Sequence, residues 1–412
     1  MRVLIVTAGS RGDVAPFTGL GQRLERAGHQ VAIATHARFA DLVRGCGLEH
    51  RLLPGDPVEL TRARQAAPSP GAGRAIFTAY LEELAEGLIA ATAAGTDVLI
   101  TAFGPAPLSR VVAEGSGIRS IGAYLLPSVP TAAFPLPGWP GPCDLGPAGN
   151  LEAGRNLLSR AGVLYAEILA RLRARLGLPA TTEPASANPP VGWPICHGFS
   201  PAVVPRPDDW PPAVRVTGYW WPARPTGWNP PTELLDFLHA GPAPVFIGFG
   251  SMAPSAGEGL TAVVRAAVKQ ARVRAVVQAG WAGLGPFDDD ILDDILLLGD
   301  VPHDWLFPHM AAVVHHAGAG TTGAGLRAGV PAVAVPVLLD QPFWAARLHQ
   351  LGVAPPPLPQ RDLTADALAD AMRCCVDDAA YRTWAADLAA RIPAEDGAAA
   401  VLTIINGRDQ AV

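Results

Sequence analysis

Between residues 313 and 342 the chain runs Val-Val-His-His-Ala-Gly-Ala-Gly-Thr-Thr-Gly-Ala-Gly, then Gly329-Val-Pro, and reaches Asp340-Gln341-Pro342. A short apolar run ends in His315 and His316, a glycine-rich turn follows, and a segment of helical composition begins. Glycines let a backbone approach its ligand closely, and the first-turn amides of a helix point, with the positive end of its dipole, at an anion. The pattern therefore predicts a strand, a turn and a helix that together hold a negative group, for which a diphosphate is the natural guest. Glycine turns also occur simply to make the corner. What favours a site here is the company: two histidines at the strand end, and Asp340 and Gln341 closing the next apolar run, 330–339, at the same predicted sheet edge.

A second strand–glycine–helix unit sits at Val245-Phe-Ile-Gly-Phe-Gly-Ser251, and a third at the start, where Val3-Leu-Ile-Val-Thr-Ala meets Gly9-Ser-Arg-Gly-Asp13. A helix is predicted over 16–27 with Gly28 past its end, followed by a strand at 31–35. Further apolar runs at 98–101, 120–124 and 203–204 alternate with helical stretches near 77–93 and 156–176. In the second half, strands are predicted at 275–278, 296–298, 311–315 and 332–335. Strands alternating with helices imply parallel sheets covered on both faces.

A chain of 412 residues with 49% hydrophobic content exceeds what one core usually supports. The expectation is an α/β protein of two tandem doubly wound domains facing across a cleft. Domain one is placed at 1–205, and a Pro-rich linker at 206–240, because eleven prolines fall between Pro201 and Pro244. Domain two is placed at 241–391 and a tail, crossing to the first domain, at 392–412. The loop 127–147 reads as a long functional loop.

Composition narrows the classes of partner. Charged residues make up 17% of the chain and the net charge is −6, without a basic block to track a nucleic-acid backbone. Cys46, Cys143, Cys196, Cys374 and Cys375 are scattered and lack metal spacing, as do His303, His309, His315 and His316, so no metal is expected. The first apolar run is too short for a signal-peptide core and no stretch approaches a membrane span, so a cytoplasmic protein without stable membrane insertion is expected. The arginines around 155–178 share a helix with an apolar stripe, which reads first as a basic solvent face over the core and second as a membrane-surface contact.

Taken in order, Gly9-Ser-Arg-Gly-Asp13-Val-Ala-Pro16, Val216-Thr-Gly-Tyr-Trp220, Gly248-Phe-Gly-Ser251, Gly280-Trp281, Val301-Pro-His-Asp-Trp-Leu-Phe307, the histidine–glycine run and Asp340-Gln341-Pro342 resemble one family. The chain is similar along nearly its whole length to inverting glycosyltransferases of two facing Rossmann-like domains (GT-B), in the branch of bacterial sterol-glucosyltransferase-like and glycopeptide-antibiotic glycosyltransferase-like enzymes. The resemblance implies transfer of a hexose from a UDP- or dTDP-linked sugar to a hydroxyl of a lipophilic small molecule or natural product, without a metal cofactor. It implies Asp13 as the base that takes the acceptor's proton. Ser251, His316, Gly318, Gly320, Thr321 and Thr322 would hold the donor diphosphate. Asp340 and Gln341 would hold the donor sugar, and Val301, Pro302 and His303 would flank the nucleobase.

Three departures from the family pattern bear on the site. Many relatives carry a stacking Trp where this chain has Val301, a gap that Trp281 would fill, and many carry Gly where this chain has Ala317. Plant relatives use a His base with an acid partner; this chain has no matching His and has Ala102 where the acid would fall. Phe77, Tyr80, Tyr124, Phe134 and Trp139 are candidate walls of an acceptor pocket in the first domain, although each also suits ordinary core packing.

Other readings stand beside these. Asp13 is also placed to cap the following helix. Gly318-x-Gly320-x-x-Gly323 with Asp340 some twenty residues on matches a dinucleotide fingerprint, which makes a nicotinamide-dependent oxidoreductase the rival from another class. A non-catalytic auxiliary protein of glycosyltransferase type is the third.

Overall fold

The computed structural model describes all residues except 181–189, 191, 251–256, 281–282, 288–292 and 408–412. The chain folds into two compact units. Unit 1 comprises Met1–Pro201, Pro205–Thr226 and Asp396–Val412; unit 2 comprises Ala202–Val204 and Gly227–Glu395.

In unit 1 the order is β1 (Arg2–Val6), α1 (Arg11–Arg26), β2 (Gln30–His36), α2 (Ala40–Gly45), β3 (Glu49–Leu53), α3 (Pro57–Gln65), α4 (Pro70–Ala93), β4 (Val98–Thr101), α5 (Ala106–Gly115), β5 (Arg119–Tyr124), α6 (Gly146–Arg175), β6 (Ile195–His197) and β7 (Val214–Val216). Among the described residues these strands make one parallel seven-stranded sheet in the order β3-β2-β1-β4-β5-β6-β7. The central strands β1 and β4 are apolar and buried because helices cover both faces. Leu4, Val6, Leu99, Leu81, Leu88 and Leu172 belong to one core cluster between the sheet and α4 to α6.

The helix after β1 starts at Arg11, five residues before the predicted 16. Ser10 takes the N-cap position and Asp13 the third helical position, a capping box that pulls the start upstream and leaves Pro16 inside the helix. The strand predicted at 203–204 is a turn whose Val203 carbonyl accepts from Arg347, and the strand in that part of the sheet is β6.

The stretch 206–240 is not a linker. Pro205–Thr226 is part of unit 1, supplies β7, and lies so close to α1 that a Cβ on Gly19 would stand 1.6 Å from the Trp221 carbonyl. The Ala223 amide donates to Thr18 Oγ1 at 2.9 Å.

Unit 2 runs α7 (Thr232–His239), β8 (Val245–Gly248), α8 (Gly257–Ala271), β9 (Ala275–Gln278), β10 (Ile295–Leu298), α9 (His303–Leu306), β11 (Ala312–His315), α10 (Ala319–Ala328), β12 (Ala332–Ala334), α11 (Gln341–Gln350), α12 (Ala365–Asp377) and α13 (Ala379–Arg391). Its described strands form a parallel sheet in the order β10-β9-β8-β11-β12.

The last helix, α14 (Gly397–Ile405), belongs to unit 1. Asp396 caps it and pairs with Arg23 at 3.2 Å, Trp220 Nε1 donates to the Gly397 carbonyl at 2.8 Å, and Arg119 donates to the carbonyls of Ile404 and Ile405. Among the described residues no helix is long and apolar enough to cross a membrane.

Candidate active site

Each sheet has one place where the winding direction reverses, and open α/β sheets bind ligands at the carboxyl ends of the strands there. In unit 1 that place lies between β1 and β4; in unit 2 it lies between β8 and β11. The turn carrying Asp13 leaves β1, and the histidine–glycine turn leaves β11.

In unit 2 the His316 ring sits against two glycines, so closely that a Cβ on Gly318 would be 2.5 Å from its Nε2. Ala317 adopts φ 61°, a left-handed conformation that costs a residue with a Cβ about 1–2 kcal/mol. Its side chain is fully buried, so the departure from glycine is accommodated by strain rather than by open space. The Ala317 amide donates to His315 Nδ1 at 3.1 Å, which places the His315 proton on Nε2.

Gly318 caps α10, and Gly320 and Thr321 lie in its first turn, where amides have no intrahelical acceptor. Thr322 differs: its amide is spent on the Gly318 carbonyl at 2.9 Å, so only its hydroxyl remains to meet a ligand. Among the described residues three buried polar atoms here have no partner, namely His315 Nε2, His316 Nδ1 and Thr322 Oγ1. Unmet hydrogen-bonding capacity of this kind is costly in a packed interior and suits a ligand that satisfies it.

Burial pushes the His316 imidazole down to about 4, and burial together with the neighbouring His316 and His303 pushes His315 down to about 3. Both rings are therefore neutral at pH 7, so His316 would meet a diphosphate as a hydrogen-bond donor and not as a cation. The positive potential of the turn comes from amides and the helix dipole.

Asp340 and Gln341 follow β12, the neighbour of β11, and so lie at the same sheet edge. Asp340 Oδ2 accepts from Trp344 Nε1 at 2.9 Å, which orients the carboxylate. Gln341 Oε1 accepts from the Val337 and Leu338 amides at 2.8 and 3.2 Å, leaving its NH₂ group as the donor. Leu339, just before Asp340, is left-handed at φ 58° and 70% exposed.

Val301 is in the core with Phe246 and Phe307, so its side chain is no platform for a base. Pro302 precedes α9, and the His303 ring stacks on Phe307 with centroids 4.3 Å apart. Ser251 and Trp281 lie outside the described residues.

In unit 1 the half-buried Asp13 accepts from the Ser10 amide at 2.6 Å and from its hydroxyl at 2.9 Å. Burial raises its carboxyl above the ordinary value while the two Ser10 bonds pull it down. Capping and base chemistry are thus compatible: Ser10 fixes the rotamer and burial raises basicity. Gly9, at φ 139°, is required twice, since a Cβ there would also lie 2.4 Å from Asp13 Oδ2.

Phe77 and Tyr80, both on α4, have ring centroids 6.2 Å apart and pack against the same core cluster as Ala8, the residue just before Gly9. Tyr124 is buried at the end of β5 and meets Phe103 edge-on, so it supports the wall rather than forming it. Phe134 packs edge-on against Trp210, away from the Phe77 cluster. Trp139 lies in the same loop, its buried Nε1 without a partner among the described residues. Two residues beside Phe77 and Tyr80 escaped notice in the sequence: His36, at the end of β2, with its ring centroid 5.9 Å from that of Tyr80, and Tyr165, on α6, whose ring meets Phe77 edge-on.

Residues 3–135 match the description "Glycosyltransferase family 28 N-terminal domain", and residues 248–406 match "Erythromycin biosynthesis protein CIII-like, C-terminal domain". The chain is 36% identical to the O-mycaminosyltylonolide 6-deoxyallosyltransferase of Streptomyces fradiae, over 96% of this chain and 95% of that one. It is 35% identical to a sterol 3-beta-glucosyltransferase of Arabidopsis thaliana over 97% of this chain, but spans 64% of that relative's length. Among solved structures it resembles the glycotransferase of kitacinnamycin, with a TM-score of 0.72, 21% identity and 98% of each chain covered. It also resembles the glycosyltransferase VinC in complex with DTDP, with a TM-score of 0.66, 20% identity, and 98% of this chain and 99% of that one covered. A doubly wound fold in each unit, shared with these structures, and close likeness to the S. fradiae enzyme along both chains lead to one conclusion: the chain belongs to the glycosyltransferases, with the GT-B fold.

Proposed function

We propose that the protein transfers a hexose from a nucleoside-diphosphate sugar, UDP- or dTDP-linked, to a hydroxyl of a lipophilic small molecule, with inversion at the anomeric carbon. The observation that carries this reading is Asp13: a carboxylate raised by burial and held by Ser10 where the winding of the first sheet reverses. Asp13 takes the proton of the acceptor hydroxyl, whose oxygen bonds to the anomeric carbon as the bond from that carbon to the diphosphate oxygen breaks. The nucleoside diphosphate leaves with the electron pair. Its growing charge is met by the Gly320 and Thr321 amides at the start of α10 and by hydrogen bonds from His316 and the Thr322 hydroxyl.

Asp340 and Gln341 bind the sugar's hydroxyls in this reading, the carboxylate accepting and the amide donating. The complex of VinC with DTDP and the sterol and tylonolide relatives support a nucleotide donor and a lipophilic acceptor.

The test is incubation of the protein with UDP-glucose and dTDP-glucose against sterols and macrolide aglycones, with product anomers read by NMR. A β-linked product from an α-linked donor is expected. An α-linked product would overturn the single displacement, and absence of transfer from either donor would overturn the reading.

A further inference from the structure

The wall of unit 1 beside Asp13 carries a hydrogen-bonding polarity that its aromatic composition conceals. His36 closes β2, the strand next to β1. Its Nδ1 lies 3.3 Å from the Leu53 carbonyl oxygen and 3.0 Å from that of Pro54. Carbonyls only accept, so Nδ1 carries the proton and Nε2 presents a lone pair. The Tyr80 hydroxyl lies 3.1 Å from this Nε2 and therefore donates to it. A Cβ on Gly55 would stand 2.8 Å from the Tyr80 ring, so the Gly55 backbone also holds that ring in place.

Tyr165 is arranged alike: its hydroxyl donates to the Gly104 carbonyl at 3.0 Å. Phe77 lies between the two phenols, with ring centroids 6.2 Å from each, and the Arg64 guanidinium covers the Phe77 ring at 5.0 Å. Burial raises the Tyr80 phenol, and Tyr165 and Asp13 add to this, so each of them lies within electrostatic reach of Tyr80. Each phenol has spent its only proton on the protein. Each keeps lone pairs, as does the Asp13 carboxylate.

We propose that Tyr80 and Tyr165, with Asp13, form an acceptor-only cluster that selects a sugar acceptor bearing at least one further hydroxyl besides the one that is glycosylated. The inference rests on the reading that unit 1 binds the sugar acceptor. The nucleophilic hydroxyl has one proton, and Asp13 takes it. The phenol oxygens then need a different donor, which a polyhydroxylated molecule brings and a monohydroxylated one does not. A site built to pair with a hydroxyl discriminates against the analogue that lacks it, because its own polar groups are left unpaired. With both tyrosines half-buried, the preference expected is about 10- to 100-fold in kcat/KM.

The test compares wild type, Tyr80→Phe and Tyr165→Phe on a monohydroxylated sterol and a polyhydroxylated macrolide aglycone. The expected result is a wild-type preference for the polyol that shrinks toward unity in Tyr80→Phe, through KM more than kcat. General damage to the fold would lower both acceptors alike, so an unchanged ratio in both variants, or no wild-type preference, overturns the proposal. Calorimetric binding of the same two compounds reads the cluster without turnover. A binding preference lost in Tyr80→Phe supports it even where no sugar moves, and that outcome would sink only the transferase reading.

Discussion

A Cβ on Gly250 would lie 2.6 Å from Cε1 of His316, so the turn after β8 and the turn after β11 hold one imidazole between them. Gly250 is also left-handed, at φ 57°. Gly250→Ala must therefore strain its own backbone and push the ring away. The expected outcome is at least about tenfold weaker dTDP binding by calorimetry, since about 1.4 kcal/mol of lost contact is enough for that. Unchanged affinity would mean that His316 does not touch the diphosphate.

Ala317 offers the opposite experiment. Its left-handed φ of 61° is easy for glycine and strained for alanine, although glycine also gives the unfolded chain more freedom. Ala317→Gly is expected to stabilise the protein by about 0.5–1 kcal/mol, a rise in Tm of about 2 °C by scanning calorimetry. A fall in Tm would show that the methyl's packing outweighs the strain.

Asp13→Asn keeps the shape of the side chain and removes its basicity. Turnover should fall by about 10²- to 10⁴-fold, the range typical of a lost general base. Affinity for dTDP should stay near that of wild type, because Asp13 and the glycine turn belong to different sheets. Wild-type turnover in the variant would remove Asp13 from the mechanism.

Three histidines held strongly down by burial make stability depend on pH, and His36, also lowered by burial, acts in the same direction. Burial holds His197 and His315 down to about 3 and His316 to about 4, against 6.5 for an exposed ring. Below pH 6.5 the unfolded chain binds protons that the folded chain refuses, so stability is full above that pH and falls as pH drops toward 4. Three protons give a slope of up to about 4 kcal/mol per pH unit near pH 5. Asp13, raised in the fold, works the other way with one proton. Denaturant unfolding at pH 7.5 and 5.0 should show the loss; equal midpoints would mean the rings are protonated in the fold.

The central strands were readable because a parallel strand buried on both faces is an apolar run, as in β1, β4, β8 and β11. The strands that escaped are different in kind. β3 and β7 are the edges of their sheet, and their sequences, Glu-His-Arg-Leu-Leu and Val-Arg-Val, are as polar as their half-exposed positions permit, while β6, Ile-Cys-His, is buried but only three residues long. The glycine turn was legible as chemistry, since glycines, histidines and a helix start follow one another in sequence. Its electrostatics were not: the charge of His316 depends on burial by residues far along the chain. His36 and Tyr80 are 44 residues apart, and only the fold shows which of them gives the proton.

The return of α14 to unit 1 gives the chain a nested order. Most of unit 2, Gly227–Glu395, is bracketed before and after by pieces of unit 1. It is thus a cassette rather than a second half. A chimera that joined this chain's first 226 residues to everything downstream in a relative would import a foreign last helix. Arg23, Arg119 and Trp220 would then face a segment they were not shaped for. A graft confined to residues 227–395 leaves those partners intact, and this is where recombination between such enzymes should be cut.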